Sequence, residues 1–372
     1  MQSWAEFLGD AQTAALTGLV VGLVFGAFAQ QSRFCLRSAC IEFWRARPGP
    51  KFAIWLVTFS AALLLTQLQV WRGTLDTSTI RQLTATGSMS GAIIGGAMFG
   101  TGMILARGCA SRLLVLSATG NLRALVAGLV LTLIAQASLT GIFSPLRMQL
   151  STLWLVGPSS RDMALWLPTG LPMAMGAVLL AAGLLLAWRS KSGLWISFGA
   201  FMTGAAVALG WYLTAWQASW SFDVIPVKSV SFTGPSANTL MALVTDPSIP
   251  LTFDTGLVPG VFVGSMIAAL IAREFRWQSF DADTGMLRYL VGASLMGFGG
   301  MLAGGCAVGA GVTGGSVMAL TAWIALLAMW LSAGIADAVM DRRSAAALPE
   351  TQAEKQNGQL LTQIKAVGQA SS

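Results

Sequence analysis

The chain contains no histidine. Haem held by imidazole, histidine proton relays and histidine-containing zinc sites are therefore excluded. Cysteine is scarce, standing only at positions 35, 40, 109 and 306, and no two of these have Cys-x-x-Cys spacing. Structural zinc and iron–sulfur clusters are accordingly weakly supported. Charge is scarce as well: Asp, Glu, Lys and Arg together make up 10% of the residues, against about 25% in soluble domains. There is no nucleotide-binding P-loop, which argues against ATP hydrolysis by this chain. No cofactor is expected.

What is abundant is apolar. Of 372 residues, 55% are hydrophobic, and the mean hydropathy is +0.69. A bilayer crossing needs about 20 predominantly apolar residues, and nine stretches qualify as candidates: 14–29, 52–70, 88–106, 124–143, 171–188, 194–218, 256–272, 287–304 and 317–336. The expected fold is all-α, a polytopic helical membrane protein. One transmembrane domain over residues 1–340 accounts for the length.

The net charge of +7 would in a soluble protein point toward nucleic acid. Here the basic residues gather in short loops beside the apolar stretches, as the positive-inside rule expects of cytoplasmic loops. Examples are Arg45, Arg47 and Lys51, then Arg189 and Lys191, then Arg273 and Arg276. No nucleic-acid partner is expected. Glu6 and Asp10 precede the first apolar run with no Lys or Arg, unlike a cleavable signal peptide. The amino terminus is expected outside, and residues 341–372 are expected to form a cytoplasmic, disordered polar tail.

Two pairs of segments resemble each other. Thr17 to Gly26 reads TGLVVGLVFG and Thr255 to Gly264 reads TGLVPGVFVG; Gly100 to Ala110 reads GTGMILARGCA and Gly297 to Ala307 reads GFGGMLAGGCA. In the second pair an offset of 197 places Gly95 on Gly292, Gly102 on Gly299, Gly108 on Gly305 and Cys109 on Cys306. Transporters are often built from such repeats with the site at their interface, giving a first repeat of about 14–143 and a second of about 255–336. The alternating direction of nine crossings sets the helices before Cys109 and Cys306 in opposite orientations but those starting at Thr17 and Thr255 in the same one. Reconciling the two requires one stretch, or the region after Cys35, to be re-entrant or a half-crossing.

Cys109 and Cys306 each end an apolar run within a Gly-rich break, after Arg107-Gly108 and Gly304-Gly305 respectively. Irregular backbone at membrane depth is tolerated only where it is buried in protein or lines a cavity, and a broken helix presents free N–H groups suited to an anion. The alternative is that the glycines merely allow close packing and the cysteines act as small hydrophobes; two copies at one offset favour the functional reading. Cys35 lies between Arg33 and Arg37, a setting that favours a reactive thiolate as readily as an ordinary basic loop. Cys40 reads as packing. Arg107 and Arg112 flank Cys109 and Arg123 begins the next apolar stretch; Arg107, nearest to the break, is the preferred anion-attracting cation. Trp71, Trp154, Trp166, Trp188, Trp216 and Trp220 read as interface anchors. The linker between Trp220 and Asp254 holds four prolines and a helix-like run, Ser236 to Val244, consistent with an external loop or re-entrant element.

With these motifs the chain resembles the YeeE/YedE family of bacterial inner-membrane sulphur-transport proteins. The likeness runs from about Ala15 to Ala336 and is closest over Ser231 to Gly311, with GPSAN at Gly234 to Asn238, the run from Phe262 through Arg273, Glu274 and Phe275, and MGFGGMLAGGCAVGAG at Met296 to Gly311. The resemblance implies short helices meeting near mid-membrane and thiosulfate passed along three thiols, Cys35, Cys109 and Cys306; Arg33, Arg107, Gly108 and Gly305, next to these cysteines in the sequence, are the further candidate site residues. It also implies a possible partner, a small cytoplasmic sulfur carrier of the TusA type. Arg107 and Arg112 depart from the usual small residues around the first Gly-Cys, which leaves a selenium-containing analogue open as substrate. A rival class is a membrane sulfur transferase in which one cysteine accepts sulfane sulfur as a persulfide; the expectation is a transporter, not an enzyme.

Overall fold

The computed structural model describes residues 9–168, 170–221, 225–245, 250–278 and 285–346. Nearly all regular structure is helical, as apolar surroundings require, because only internal hydrogen bonding satisfies a spanning backbone. The helices are α1 (Asp10–Ser32), α2 (Leu36–Trp44), α3 (Pro50–Trp71), α4 (Met89–Leu105), α5 (Ala110–Ala118), α6 (Leu122–Leu139), α7 (Ser144–Thr152), α8 (Leu171–Arg189), α9 (Leu194–Trp220), α10 (Thr233–Thr245), α11 (Phe253–Ile271), α12 (Met286–Leu302) and α13 (Leu320–Ala346). A π-helix, Ala307–Thr313, follows α12. Among the described residues eight helical spans are long and apolar enough to cross a membrane, and α12 with its π-helix, bent by 41°, makes a ninth. The chain is a polytopic all-α membrane protein.

Local sequence sets the helix ends. Pro50 stands at the first turn of α3, where its missing N–H costs nothing. Ser88 accepts from Gly91 N–H at 2.8 Å to start α4, Asn121 accepts from Ala124 N–H at 3.0 Å to start α6, and Thr252 and Thr255 cap α11 reciprocally. A two-residue antiparallel pairing of β1 (Gly87–Ser88) with β2 (Leu155–Val156) ties the start of α4 to the loop after α7. The last helix runs through residues 341–346, where the polar tail was expected to begin. Residues 347–372 lie outside the described residues.

Four segments share one plan: a long helix, a break, a short helix, then a long helix. They are α1–α2–α3, α4–α5–α6, α9–α10–α11, and α12–π-helix–α13. The helix-like run in the linker is thus the short helix α10 of the third segment. Its break, Ile225 to Phe232, turns back along α9: Lys228 O accepts from Thr214 Oγ1 at 2.7 Å and Val207 O accepts from Ser229 Oγ at 2.6 Å.

This plan corrects the orientation argument. The stretches at Thr17 and Thr255 match because they pack on one another, not because they hold equivalent places: α1 opens one segment and α11 closes another. Gly22 lies against Leu257 and Val261, and Gly260 against Leu19 and Gly22, so the two run parallel with interlocked glycine faces. Helices α4 and α12 also meet at their glycines, Gly91 beside Leu302 and Gly102 beside Gly292 and Met296, and run antiparallel. Both relations coexist, and no stretch need be removed.

Van der Waals packing, rather than hydrophobic exclusion from lipid, holds such helices together, which explains small residues at the closest approach. A side chain added at Gly95 would stand 2.5 Å from Ala303 N and Gly299 O, whereas one at Gly128 meets nothing within 4 Å. Gly95→Leu is expected to destabilise the protein by about 1–3 kcal/mol through overpacking. Gly128→Leu is expected to leave thermal unfolding in detergent unchanged, and equal melting temperatures for the two variants would contradict the interlocked-glycine account.

Candidate functional site: three thiols at buried helix breaks

The breaks are built alike. At three of them the long helix ends on a residue in the left-handed region, Arg33 (φ 54°), Arg107 (φ 55°) and Gly304 (φ 81°). The next amide then reaches back five residues: Phe34 N–H donates to Ala29 O at 3.2 Å, Gly108 N–H to Met103 O at 3.1 Å and Gly305 N–H to Gly300 O at 2.8 Å. This is a Schellman-type closure, which normally favours glycine. The following residue is extended and forms the N-cap of the short helix: Cys35, Cys109 and Cys306. Their carbonyls accept from Ala39, Leu113 and Ala310 N–H at 3.3, 2.9 and 2.8 Å. Cys306 Sγ accepts from Gly309 N–H at 3.4 Å, whereas Cys35 and Cys109 make no such cap bond.

The structure therefore brings the three cysteines to equivalent positions, and it adds a residue that sequence reasoning missed. In the third segment Phe232 O accepts from Ser236 N–H at 2.9 Å, so Phe232 stands where the other segments place a thiol. Its ring is 1% exposed and lies 5.3 Å from that of Phe25. The Thr-Gly-Pro run after it is a helix-start signal, but only the fold shows that the break before it belongs with the cysteine breaks.

All four cysteines are free and buried. Cys35 and Cys109 lie beside each other, and Cys109 Sγ is 3.4 Å from Ser111 Oγ. Cys306 caps a π-helical turn packed against α5, α13 and α3. Cys40, one turn beyond Cys35, is enclosed in the core. Arg33 is exposed and pairs with Glu274 at 2.8 Å. Arg107 is exposed, near Arg37 and Arg288; the cation beside the thiols is Arg112, three residues along α5 from Cys109.

Gly108 and Gly305 precede their cysteines at matching positions but differ in surroundings. A methyl on Gly305 would lie 2.6 Å from Ala310 N, and one on Gly108 would only touch Leu113 at 3.4 Å. Several planned anchors do sit at exposed helix ends, Trp71 and Trp188 among them, while Trp211 is buried and donates to Ser316 Oγ at 3.2 Å.

Two chambers, each of about 820 Å³, flank the breaks. The first lies at the end holding the start of α1 and is lined by Arg81, Arg147, Arg161 and Lys228, with Ser231 and Gly304 at the breaks. Its one acidic lining residue, Asp254, is paired with Lys228 at 2.9 Å. Burial first, and then the charge of Arg81, lower the pKa of Arg161; a bound anion would relieve both effects. The second chamber lies at the opposite end, lined by Gln30, Arg33, Lys51, Lys191 and Glu274. Cys306 and Cys109 are fully buried, and neither lines a chamber. No group of histidine, cysteine and carboxylate residues able to hold a metal occurs among the described residues.

The chain thus holds three buried thiols at helix breaks and two chambers lined by basic residues. A family model described as sulphur transport matches residues 31–335. The chain belongs to the sulphur transport family. Among its relatives is a protein of Spirochaeta thermophila named thiosulfate transporter TsuA, 27% identical over 86% of this chain and 98% of its own length. Another, of the same name from Escherichia coli, is 29% identical over 85% of this chain and 92% of its own. The matched region of the sulphur transport family includes all three breaks that carry cysteine.

Replacing Gly305 by Ala is expected to distort the Cys306 turn and to lower both melting temperature and uptake, whereas Gly108→Ala is expected to resemble the parent in both. Circular dichroism melts of the two purified variants provide the comparison, and a Gly305→Ala protein indistinguishable from Gly108→Ala would contradict the crowding assigned to that turn.

Proposed function

We propose that this chain takes thiosulfate into the cytoplasm across a bacterial inner membrane, along a path lined by Cys306, Cys109 and Cys35. The observation that carries this reading is the repeated placement of a buried thiol at the N-cap of a short helix in three of four equivalent breaks. The names of the relatives supply the substrate.

Thiosulfate has two negative charges and a terminal sulfur, so it gains from free amides at a helix start and from weak S–H donors together. Conduction needs sites strong enough to admit the ion and weak enough to release it. Weak thiol sites in series meet that need. Basic residues cluster around the second chamber, including Arg45, Arg47, Lys51, Arg189 and Lys191, and the positive-inside rule makes that end cytoplasmic. The first chamber is then the periplasmic entrance, where Arg81, Arg147, Arg161 and Lys228 gather the anion. The amino terminus lies on that outer side and the end of α13 inside. A small cytoplasmic sulfur carrier of the TusA type would receive the delivered sulfur at the second chamber. In this reading Arg33 serves at the inner mouth, Gly108 and Gly305 shape the breaks, and the thiols finish each cycle chemically unchanged.

Uptake of labelled thiosulfate by proteoliposomes containing this protein alone tests the proposal. The parent is expected to accumulate label, and Cys109→Ala and Cys306→Ala are each expected to abolish it; full uptake by either variant would remove the basis of the thiol path. In the same assay Arg161→Gln is expected to raise KM several-fold with little change in maximal rate, since its charge acts at the entrance. Intact mass after turnover is expected to show no added sulfur on any cysteine.

A further inference from the structure

We infer that Arg112 is the oxyanion-holding residue of a substrate station formed with Cys35 and Cys109, and that Gln30 keeps its charge available by separating it from Glu274. This deepens the proposed thiol path and rests on it.

Four observations support the assignment. First, Arg112 sits on the opening turn of α5, within electrostatic reach of both thiols, of Arg33 and of Glu274. Second, among the described residues its guanidinium has one hydrogen bond, from Nη1 to Gln30 Oε1 at 3.3 Å, so the remaining donors of the fork are uncommitted. Third, the nearby carboxylate is spent elsewhere: Glu274 Oε1 pairs with Arg33 at 2.8 Å, and Glu274 Oε2 accepts from Gln30 Nε2 at 3.0 Å. Gln30 thus stands between acid and base, giving its N–H to one and its C=O to the other. Fourth, Arg112 is half-buried, and a cation partly removed from water and facing a neutral amide is incompletely paired until an anion completes it.

A thiosulfate ion placed there has its terminal sulfur toward the two thiols and its oxygens toward the planar fork, a geometry suited to bidentate contact. The contrast with the neighbouring arginines is informative. Arg33 is neutralised by Glu274, and Arg107 is exposed. Of the basic residues near the inner thiol pair, Arg112 alone combines closeness to both sulfurs with an uncommitted charge.

Two readouts test this. In proteoliposomes, Arg112→Gln and Gln30→Glu are each expected to raise the thiosulfate KM about tenfold or more, the first by removing the charge and the second by neutralising it in place. Arg112→Lys, which keeps the charge but loses the fork, is expected to fall between them and the parent. The second readout needs no transport: in a protein carrying Cys40→Ala and Cys306→Ala, the remaining thiol pair is modified with an anionic sulfonatoethyl or a cationic aminoethyl methanethiosulfonate. The anionic-to-cationic rate ratio is expected to drop at least several-fold in Arg112→Gln and in Gln30→Glu. A parent that transports while both variants keep its KM and its rate ratio overturns the role of Arg112 and leaves the thiol path standing. A parent that takes up no thiosulfate sinks the proposed substrate, and the rate ratio still decides whether Arg112 draws anions. A pair that neither reagent reaches overturns both.

Discussion

Everything functional here depends on the contact between glycine faces of long helices. Breaking a helix inside a membrane exposes carbonyls and amides that lipid cannot satisfy, so a break is permissible only where protein surrounds it on all sides. The interlock of α1 with α11 and of α4 with α12 brings backbones close enough to provide that enclosure. The cost of each interruption is further reduced by the closure itself, in which one amide returns five residues to cap the helix it leaves. Without the close packing there would be no place for an extended residue with a free thiol in the middle of the bundle.

Given that enclosure, repetition does the rest. Each segment delivers one N-cap to the interior, so the chemistry of the path is decided by which side chain stands at that single position. Three segments supply a soft, weak hydrogen-bonding thiol. The third supplies Phe232, packed on Phe25, which narrows the interior and offers no polar atom. The asymmetry is a property of side chains rather than backbone, since the carbonyl of Phe232 starts its short helix just as the cysteine carbonyls do. On the proposed path, an apolar wall on one side and thiols on the others would limit how many water molecules accompany an ion, and so raise the weight of each sulfur contact.

Much of this was legible beforehand. The helical class, the nine apolar stretches and the Gly-Cys breaks follow from local composition, because membrane insertion and backbone satisfaction act on contiguous residues. The short helix in the Pro-rich linker was visible as the run from Ser236 to Val244. What could not be read was tertiary in origin. The likeness of Thr17–Gly26 to Thr255–Gly264 reports a shared packing requirement, and a linear comparison cannot tell that from equivalence of place. Phe232 was invisible because equivalence there lies in a carbonyl's hydrogen bond, with no common residue type. Arg107 drew attention by adjacency to Cys109, yet a residue at left-handed φ directs its side chain away from the helix that follows. Arg112, one turn into α5, shares the face of Cys109, and the 3.6-residue period was the available signal.

The distribution of charge then separates entry from release. In the first chamber Arg81, Arg147, Arg161 and Lys228 share a single carboxylate among the described residues, itself tied to Lys228, so the lining is net positive. At the inner end the acid is placed next to Arg33, nearer the mouth than the thiols. On the proposed path an ion moving inward passes from cations that share one carboxylate to the Arg33–Glu274 pair and the uncommitted charge of Arg112. Selection belongs between these two fields, at the enclosed sulfurs, where an oxyanion without a soft atom would meet thiols it can only bond weakly. On the proposed reading the electrostatics supplies direction and capture, and the cysteines supply the distinction between sulfur-bearing anions and the rest.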